Sequence, residues 1–413
     1  MSSRPRYKIT EVGEIPEEWK AVRLQSVAQV CGGSTPSTRV TEYWNGDIPF
    51  VTPTDVTGLK GNNFIRKTEK RITQRGLESI SAKLLPPGSV LVTSRASIGF
   101  AAVNEVPMVT NQGFVNIVCG EIIHNLFLLY LIRHFVAKLT RLASGSTFKE
   151  VSRTSLKRML IPLPPLPEQQ RIALVLSTVD DAIQKTGEII EKTRQLKRGL
   201  MQQLLTKGIG HTRFKRTEMG EIPEEWTVVT LGNNLISVLP GYAFDSGFFD
   251  NEQGVPLIRV RDIGKGRTEA KYRGSYDTKY LIKAGDILVG MDGEFEVHKW
   301  GGPGALLNQR VCKVSSEDPS SLDEGFLFYA LQGPIKSIER TISLTTVKHL
   351  STKDLYRIRI ALPLHPEQHE IALILSGVDA KVQKERQCRQ RLEELKTGLM
   401  QALLTGKVRV RVS

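Results

Sequence analysis

The sequence predicts an α+β fold with an internal repeat. We expect two mixed, β-rich domains separated by two long helices, which pair as an antiparallel coiled coil with pseudo-twofold symmetry. Three observations support this: segments recur in the same order, two proline-free stretches have helical apolar spacing, and short β-branched runs lie between them. The predicted domains are residues 1–167 and 207–366, the predicted helices are residues 168–206 and 367–406, and residues 407–413 form a tail.

Three pairs of repeated segments establish the duplication. GEIPEEW occupies Gly13–Trp19 and returns unchanged at Gly220–Trp226. PEQQRIALVLSTVD, which begins at Pro167, matches PEQHEIALILSGVD, and LKRGLMQQLLT matches LKTGLMQALLT farther along each copy. Because the order is the same in both halves, the chain is predicted to contain two copies of one domain-sized plan, far longer than a solenoid repeat.

The predicted helices follow proline-rich stretches. IPLPPLPEQQ is extended up to about residue 166, and a helix can then start with Pro167 in its first turn. A long helix with one narrow apolar stripe needs a partner, and its twin in the other copy is the obvious one. The alternative is that each helix packs on its own domain. The predicted coiled-coil seam comprises Ile172, Leu176, Val179, Ile183, Leu196, Leu200, Leu204, Ile371, Leu375, Val378, Val382, Leu392, Leu395, Leu399 and Leu403.

Antiparallel pairing would also bring the two ends of the chain together. It would place the tail 407–413 near the N-terminal segment Tyr7–Trp19. The antiparallel orientation is inferred from this closure alone.

The regions between the repeated segments, residues 20–160 and 227–360, are called the first and second inserts, and both are predicted to be rich in β-strands. DIPFVTPTDV, GSVLVTS and GFVNIV in the first insert, and VPLIRVRDI and DILVGM in the second, are β-branched runs bounded by turn residues. The inserts share little sequence, whereas the flanking segments are nearly identical. This contrast favours one kind of partner for the flanking segments and two different targets for the inserts. Neutral drift of loops is the alternative.

Composition and charge narrow the class of protein. Apolar residues make up 40% and charged residues 24% of the 413, as in ordinary globular proteins. The sequence shows no apolar run of the ~18–20 residues that span a membrane and no apolar leader, so we expect a cytoplasmic protein without membrane association. Four scattered cysteines favour neither a zinc site nor disulfides. The net charge of +14 suggests a nucleic-acid partner, although a merely basic protein would carry it too.

Motifs for catalysis are not apparent in the sequence. It shows neither the glycine-rich loop and Asn-Pro-Pro-Tyr type motif of a DNA methyltransferase nor a GxxxxGK[ST] phosphate loop. His365 and His369 have the spacing of a metal pair, but a solvated helix start explains them better. We therefore predict no catalytic residue and no metal ligand in this chain.

Several of these segments together resemble the specificity subunits of type I restriction–modification systems. The resemblance rests on the paired GEIPEEW segments, on LPPLPEQ and LPLHPEQ before long helices, and on the duplicated LK-x-GLMQ-x-LLT. GGSTPSTRVTEYWNGDIPFVTPTDV, and GYAFDSGFFD followed by GVPLIRVRDI, are similar to common openings of the family's recognition domains.

The resemblance implies a function without chemistry in this chain. Each insert would be a target recognition domain that reads one half of a split, asymmetric site in double-stranded DNA. The helices would act as a spacer and dock modification (methyltransferase) subunits, two of them expected, with the restriction subunit attached through these. S-adenosylmethionine, ATP and Mg²⁺ would be needed only by those partners. A free-standing DNA-binding protein, or a nuclease or methyltransferase with an unrecognised site, remains an alternative.

Polar and basic residues on the loops of the inserts are the candidate DNA contacts, because such groups bond phosphates and base edges. The candidates in the first insert are Ser34, Thr35, Thr52, Thr54, Asp55, Lys60, Arg66, Lys67, Lys70, Arg71, Arg75, Ser94, Arg95, Asn111 and Gln112. Those in the second are Tyr242, Ser246, Arg259, Arg261, Asp262, Asp292, Asn308, Gln309 and Arg310. TNQ and LNQ occur at matching positions in the two copies, so they could instead form a shared structural turn. Trp19 and Trp226, within acidic segments, are expected to pack or to dock a subunit.

Overall fold

The computed structural model describes residues 6–59, 61–95, 97–136, 140, 150–341 and 349–410. The chain divides into two units. Unit 1 comprises Met1–Ile189 and Glu385–Ser413, and unit 2 comprises Ile190–Lys384. Each long helix therefore contributes one part to each unit.

Unit 1 contains short strands and helices that precede the first long helix. Its strands are β1 (Tyr7–Thr10), β2 (Gly13–Pro16), β3 (Lys20–Arg23), β4 (Ala28–Gly32), β5 (Trp44–Val51), β6 (Phe64–Ile65), β7 (Lys70–Ile72), β8 (Val90–Thr93), β9 (Ala101–Asn104), β10 (Val109–Thr110), β11 (Phe114–Cys119) and β12 (Leu160–Leu163). Its helices are α1 (Pro53–Thr57), α2 (Gln74–Glu78), α3 (Asn125–His134), α4 (Arg153–Arg158) and the start of α5 (Leu166–Lys207).

A five-stranded sheet in the order β4-β11-β8-β9-β6 forms the centre of unit 1. Successive strand residues point to opposite faces, so Val90 and Val92 join one core while Leu91 joins another. The first core includes α3 and the long helices, and the second includes α1. Smaller sheets, β10-β5-β7, β1-β2 and β12-β3, complete the unit.

Unit 2 repeats this plan. Its strands are β13 (Phe214–Thr217), β14 (Gly220–Pro223), β15 (Thr227–Thr230), β16 (Ile236–Pro240), β17 (Phe249–Asp250), β18 (Val255–Ile258), β19 (Lys271–Tyr272), β20 (Leu281–Ile282), β21 (Ile287–Gly290), β22 (Val297–Lys299), β23 (Ala305–Leu307), β24 (Val311–Ser316) and β25 (Arg359–Leu362). Its helices are α6 (Gly232–Leu235), α7 (Glu324–Thr341), α8 (Thr352–Tyr356) and the start of α9 (His365–Leu404). The sheets have the orders β16-β24-β21-β22, β17-β19-β18-β23-β20, β13-β14 and β15-β25.

The predicted long helices and their antiparallel pairing are confirmed in each unit. Helices α5 and α9 lie within two residues of their predicted limits. In unit 1 the start of α5 packs with the end of α9, because Ile172 and Leu176 share a core with Leu403. In unit 2 the end of α5 packs with the start of α9, because Leu204 shares a core with Ile371.

Most of the predicted seam residues are buried or half-buried. The prediction is wrong for Leu196 and Leu395, which are 57% and 50% exposed and so lie outside the seam. Their neighbours Lys197 and Lys396 turn inward instead and are only 21% and 19% exposed. At 3.6 residues per turn, one position rotates a side chain by about 100°, which is enough to move a leucine out of the seam.

The two GEIPEEW segments anchor the long helices from the side. Trp19 and Trp226 are fully buried, so packing is their role. Trp19 Nε1 donates to Glu168 in α5 at 3.0 Å, and Trp226 Nε1 donates to Glu367 in α9 at 2.8 Å.

The predicted approach of the tail to the N-terminal segment is also observed. In unit 1, Arg409 Nη2 lies 2.6 Å from Glu18 Oε2, and the Tyr7 hydroxyl donates to the carbonyl of Lys407 at 3.3 Å. Arg409 also binds Glu168 in α5, with Nε at 2.6 Å and Nη2 at 2.9 Å. In unit 2, the linker after α5 makes the corresponding contact, because His211 Nε2 lies 2.9 Å from Glu367 Oε1.

Within the part of the chain that is described, no helix is both long enough and apolar enough to cross a membrane.

Candidate nucleic-acid interface

Three chain segments meet in the same way in both inserts, at what we call the loop crossing. In unit 1, Ser94 N donates to the carbonyl of Gly113 at 2.8 Å, and Val151 N donates to the carbonyl of Ser94 at 3.0 Å. In unit 2, Met291 N donates to the carbonyl of Arg310, and Leu350 N donates to the carbonyl of Met291, both at 2.8 Å. The two inserts therefore present the side chains next to these residues from one shared backbone arrangement.

The loop crossing of unit 1 carries an exposed ion pair. Arg95 Nε lies 3.0 Å from Glu150 Oε2, and the two side chains are 48% and 37% exposed. Both residues line a cavity of about 430 Å³, together with Gln112 and Arg153. Thr35 Oγ1 donates a hydrogen bond to Gln112 Oε1. This concave surface brings together two of the predicted contacts, Arg95 and Gln112, and a third, Thr35, bonds to Gln112.

The loop crossing of unit 2 has the opposite charge at the first position. Asp292 stands where unit 1 has Arg95, and its carboxylate contacts both Arg310 and His349. Arg310 Nη1 lies 2.6 Å from Asp292 Oδ2, and His349 Nδ1 lies 2.6 Å from Asp292 Oδ1. Arg310 is 55% exposed and Asp292 is 23% exposed.

The TNQ and LNQ segments form a similar turn in both units, which is the structural alternative given for them above. A Cβ atom on Gly33 would overlap the carbonyl oxygen of Asn111, and one on Gly241 would overlap that of Asn308. Asn111 Oδ1 accepts from Gly113 N at 2.9 Å. In unit 2 the turn places the exposed Tyr242 beside Gln309, whose N–H donates to the carbonyl of Tyr242 at 2.9 Å. Ser34 is held in unit 1 by its own N–H, which donates to the carbonyl of Thr110 at 3.0 Å.

The basic run of the first insert lies on the surface. Arg66, Lys67 and Lys70 are exposed, which suits contact with phosphates. Arg71 and Arg75 are exposed too, but they also have partners within the chain. Arg71 donates to the carbonyls of Gly46 and Asp47, and Arg75 pairs with Glu42 at 2.7 Å. Lys60 lies outside the described residues.

Other predicted contacts hold loops in place. Asp55 Oδ2 caps α1 by accepting from the N–H and the hydroxyl of Thr52, at 2.7 and 2.6 Å. Asp262 accepts from Arg259 and is 4% exposed. Ser94 and Asn308, at 1% and 7%, are also buried. Burial keeps the side chains of Asp262, Ser94 and Asn308 away from the surface, whereas Thr54, Ser246 and Arg261 are exposed.

A buried polar cluster joins the first insert to the long helices, and sequence reasoning missed it. In unit 1, Asp180 accepts from the Tyr130 hydroxyl at 2.7 Å and pairs with Lys396 at 2.5 Å. Asn63, in the first insert, donates to the Tyr130 oxygen at 2.7 Å. Burial, and then the neighbouring Asp180, raise the pKa of Tyr130.

Unit 2 contains the same cluster. Asp379 accepts from the Tyr329 hydroxyl at 2.8 Å and pairs with Lys197 at 2.6 Å. All three residues are identical in the two copies and equally spaced along them. That identity was the signal in the sequence that could have revealed the cluster.

The two histidines with metal-pair spacing have separate partners. His365 Nε2 lies 2.8 Å from the carbonyl of Pro319, and His369 Nδ1 lies 3.0 Å from Asp323 Oδ2. Among the described residues, no group of three or more His, Cys, Asp or Glu side chains could hold a metal ion.

Comparison with known proteins places the chain in a family. Residues 16–193 and 223–394 match the family model described as the type I restriction modification DNA specificity domain. The type I restriction enzyme MjaIX specificity subunit of Methanocaldococcus jannaschii is 29% identical over 98% of this chain and 96% of its own length. The putative MjaX specificity subunit of that organism is 31% identical over 98% of this chain and 97% of its own length.

Solved structures share the fold. The S subunit of a type I restriction–modification system from M. genitalium has a TM-score of 0.61 at 15% identity, covering 97% of this chain and 98% of that one. A chain from a study of complex assembly in a type I system has a TM-score of 0.56 at 20% identity, covering 95% of this chain and 99% of that one. Because the family model matches most of both repeats, this chain belongs to the DNA specificity subunits of type I restriction–modification systems.

Proposed function

We propose that the chain reads a bipartite, asymmetric site in double-stranded DNA, with one half-site for each insert. The observation that carries this proposal is the loop crossing: one backbone arrangement occurs in both units, with different exposed side chains in each. The shared backbone arrangement would place each insert on DNA in the same way. The side chains that differ between the two inserts would then select different bases.

We further propose that the chain itself carries out no chemistry and directs other subunits to the site. S-adenosylmethionine, ATP and Mg²⁺ then belong to those modification and restriction subunits. Leu174 and Leu373 occupy equivalent positions in the two repeats and are 53% and 57% exposed. Leu196 and Leu395 form a second pair of equivalent, exposed leucines. Equivalent apolar positions on both repeats support the binding of two modification subunits, one on each repeat.

The purified chain should transfer no methyl group by itself. The reason is the lack, in the sequence, of a cofactor loop and a methyl-transfer motif. The measurement is transfer from labelled S-adenosylmethionine to DNA by the chain alone, by its modification subunit alone and by the two together. We expect transfer only from the complex, and a rate for the chain alone near that of the complex would contradict the proposal.

A further inference from the structure

Each loop crossing holds one arginine against one carboxylate, but the two residues come from different segments. In unit 1 the arginine is Arg95, on the first segment, and its carboxylate is Glu150, on the third. In unit 2 the arginine is Arg310, on the second segment, and its carboxylate is Asp292, on the first. Each loop crossing therefore contains an arginine that is paired with a carboxylate, although the two pairs are built from residues on different segments.

The backbone of Arg310 supports a functional role. Its φ of 74° lies in the left-handed region, which residues with a Cβ adopt rarely. Unit 1 has Gly113 at the equivalent position, and its φ lies outside the left-handed region, so this conformation belongs to Arg310 alone of the two. Strained backbone of this kind persists where surrounding contacts fix it, commonly at functional sites. Here it places the guanidinium on Asp292, which His349 also contacts.

The remaining donors of each arginine suit a base edge. A guanidinium has five N–H donors in a fixed fork. Arg95 donates to Glu150 through Nε, and Arg310 donates to Asp292 through Nη1. About half of each side chain is exposed. A planar fork held from one side matches the O6 and N7 acceptors of guanine in the major groove.

We infer that Arg95 and Arg310 each read a guanine, one in each half-site, and that Glu150 and Asp292 are positioning residues that orient them. This inference deepens the proposed function and rests on it. It assigns to each unit one side chain that determines sequence preference, whereas the surrounding basic residues contact phosphates.

The test uses the complex of the full chain with its modification subunit and duplexes in which every position of the site is varied. Arg310→Lys keeps the charge but loses the fork. It should lower discrimination for guanine at one position of one half-site by about 5- to 150-fold. Arg95→Lys should do the same at one position of the other half-site. Each variant should leave the opposite half-site unchanged.

Two further variants separate recognition from folding. Arg310→Gly removes the guanidinium, and glycine adopts a φ of 74° without steric cost, so its melting temperature should stay near that of the wild type while discrimination at the same position is lost. Asp292→Asn should weaken discrimination at the position affected by Arg310→Lys, because Asp292 acts through Arg310.

Specific outcomes would overturn the inference. A lysine variant that weakens modification of all duplexes equally would show a phosphate contact, and one with unchanged discrimination would show no contact. An effect of Asp292→Asn at another position would remove its positioning role. A wild-type complex that modifies no bipartite site contradicts the proposed function itself, whereas a bipartite wild type with unaltered lysine variants contradicts this inference alone.

Discussion

Replacing Leu176 with aspartate should unfold unit 1. Leu176 is fully buried in the core that joins α5 to the end of α9, where Leu403 and Trp19 also lie. Losing a buried leucine costs about 2–5 kcal/mol, and burying an unpaired carboxylate adds to that cost. The total approaches the entire ~5–15 kcal/mol stability of an ordinary domain. Urea denaturation followed by circular dichroism measures the loss.

Leu174→Asp is the matched control for this variant. It makes the same chemical change two residues earlier on the same helix, at a side chain that is 53% exposed. Its free energy of unfolding should stay within about 0.5 kcal/mol of the wild type. Equal stability of the two variants would show that α5 does not pack through Leu176.

Replacing Asp180 with asparagine should lower the free energy of unfolding by about 3 kcal/mol, near the lower end of what breaking a buried ion pair costs. The change leaves the Lys396 ammonium without its carboxylate, although Lys396 is only 19% exposed. It also removes the ionised acceptor of the Tyr130 hydroxyl. Thermal unfolding of the single variant, compared with the wild type, gives the measurement.

A double-mutant cycle with Lys396→Met isolates the ion pair. Asp180→Asn combined with Lys396→Met removes both charges, so the double variant should be more stable than Asp180→Asn alone. Strictly additive losses would show that Asp180 and Lys396 do not interact in solution.

The long helices were predictable because their limits and their apolar faces are local features of the sequence. Pro167 marks the start of α5, and apolar residues at helical spacing mark the face that needs a partner. Lys197 and Lys396 were not predictable in the same way. Lysine usually projects into water, and the aspartate of each polar cluster draws these side chains inward through an ion pair.

The candidate site was predictable by residue type but not by arrangement. The sequence predicts Arg95 and Arg310 as contacts because arginine bonds phosphates and base edges, yet their environments depend on contacts that the sequence does not reveal. Glu150 reaches Arg95, and His349 reaches Asp292, only through tertiary packing. Tertiary packing also buries Asp262. The composition of its loop does not show whether this carboxylate is buried or exposed.

The most direct test of this account is the set of methylated sites in DNA from cells that carry the chain and its modification subunit. Genome-wide detection of modified bases gives the recognised motif without assuming it. We expect two unlike half-sites separated by a fixed number of unread bases, because unlike inserts share one backbone plan. A continuous motif or a palindrome would contradict the account.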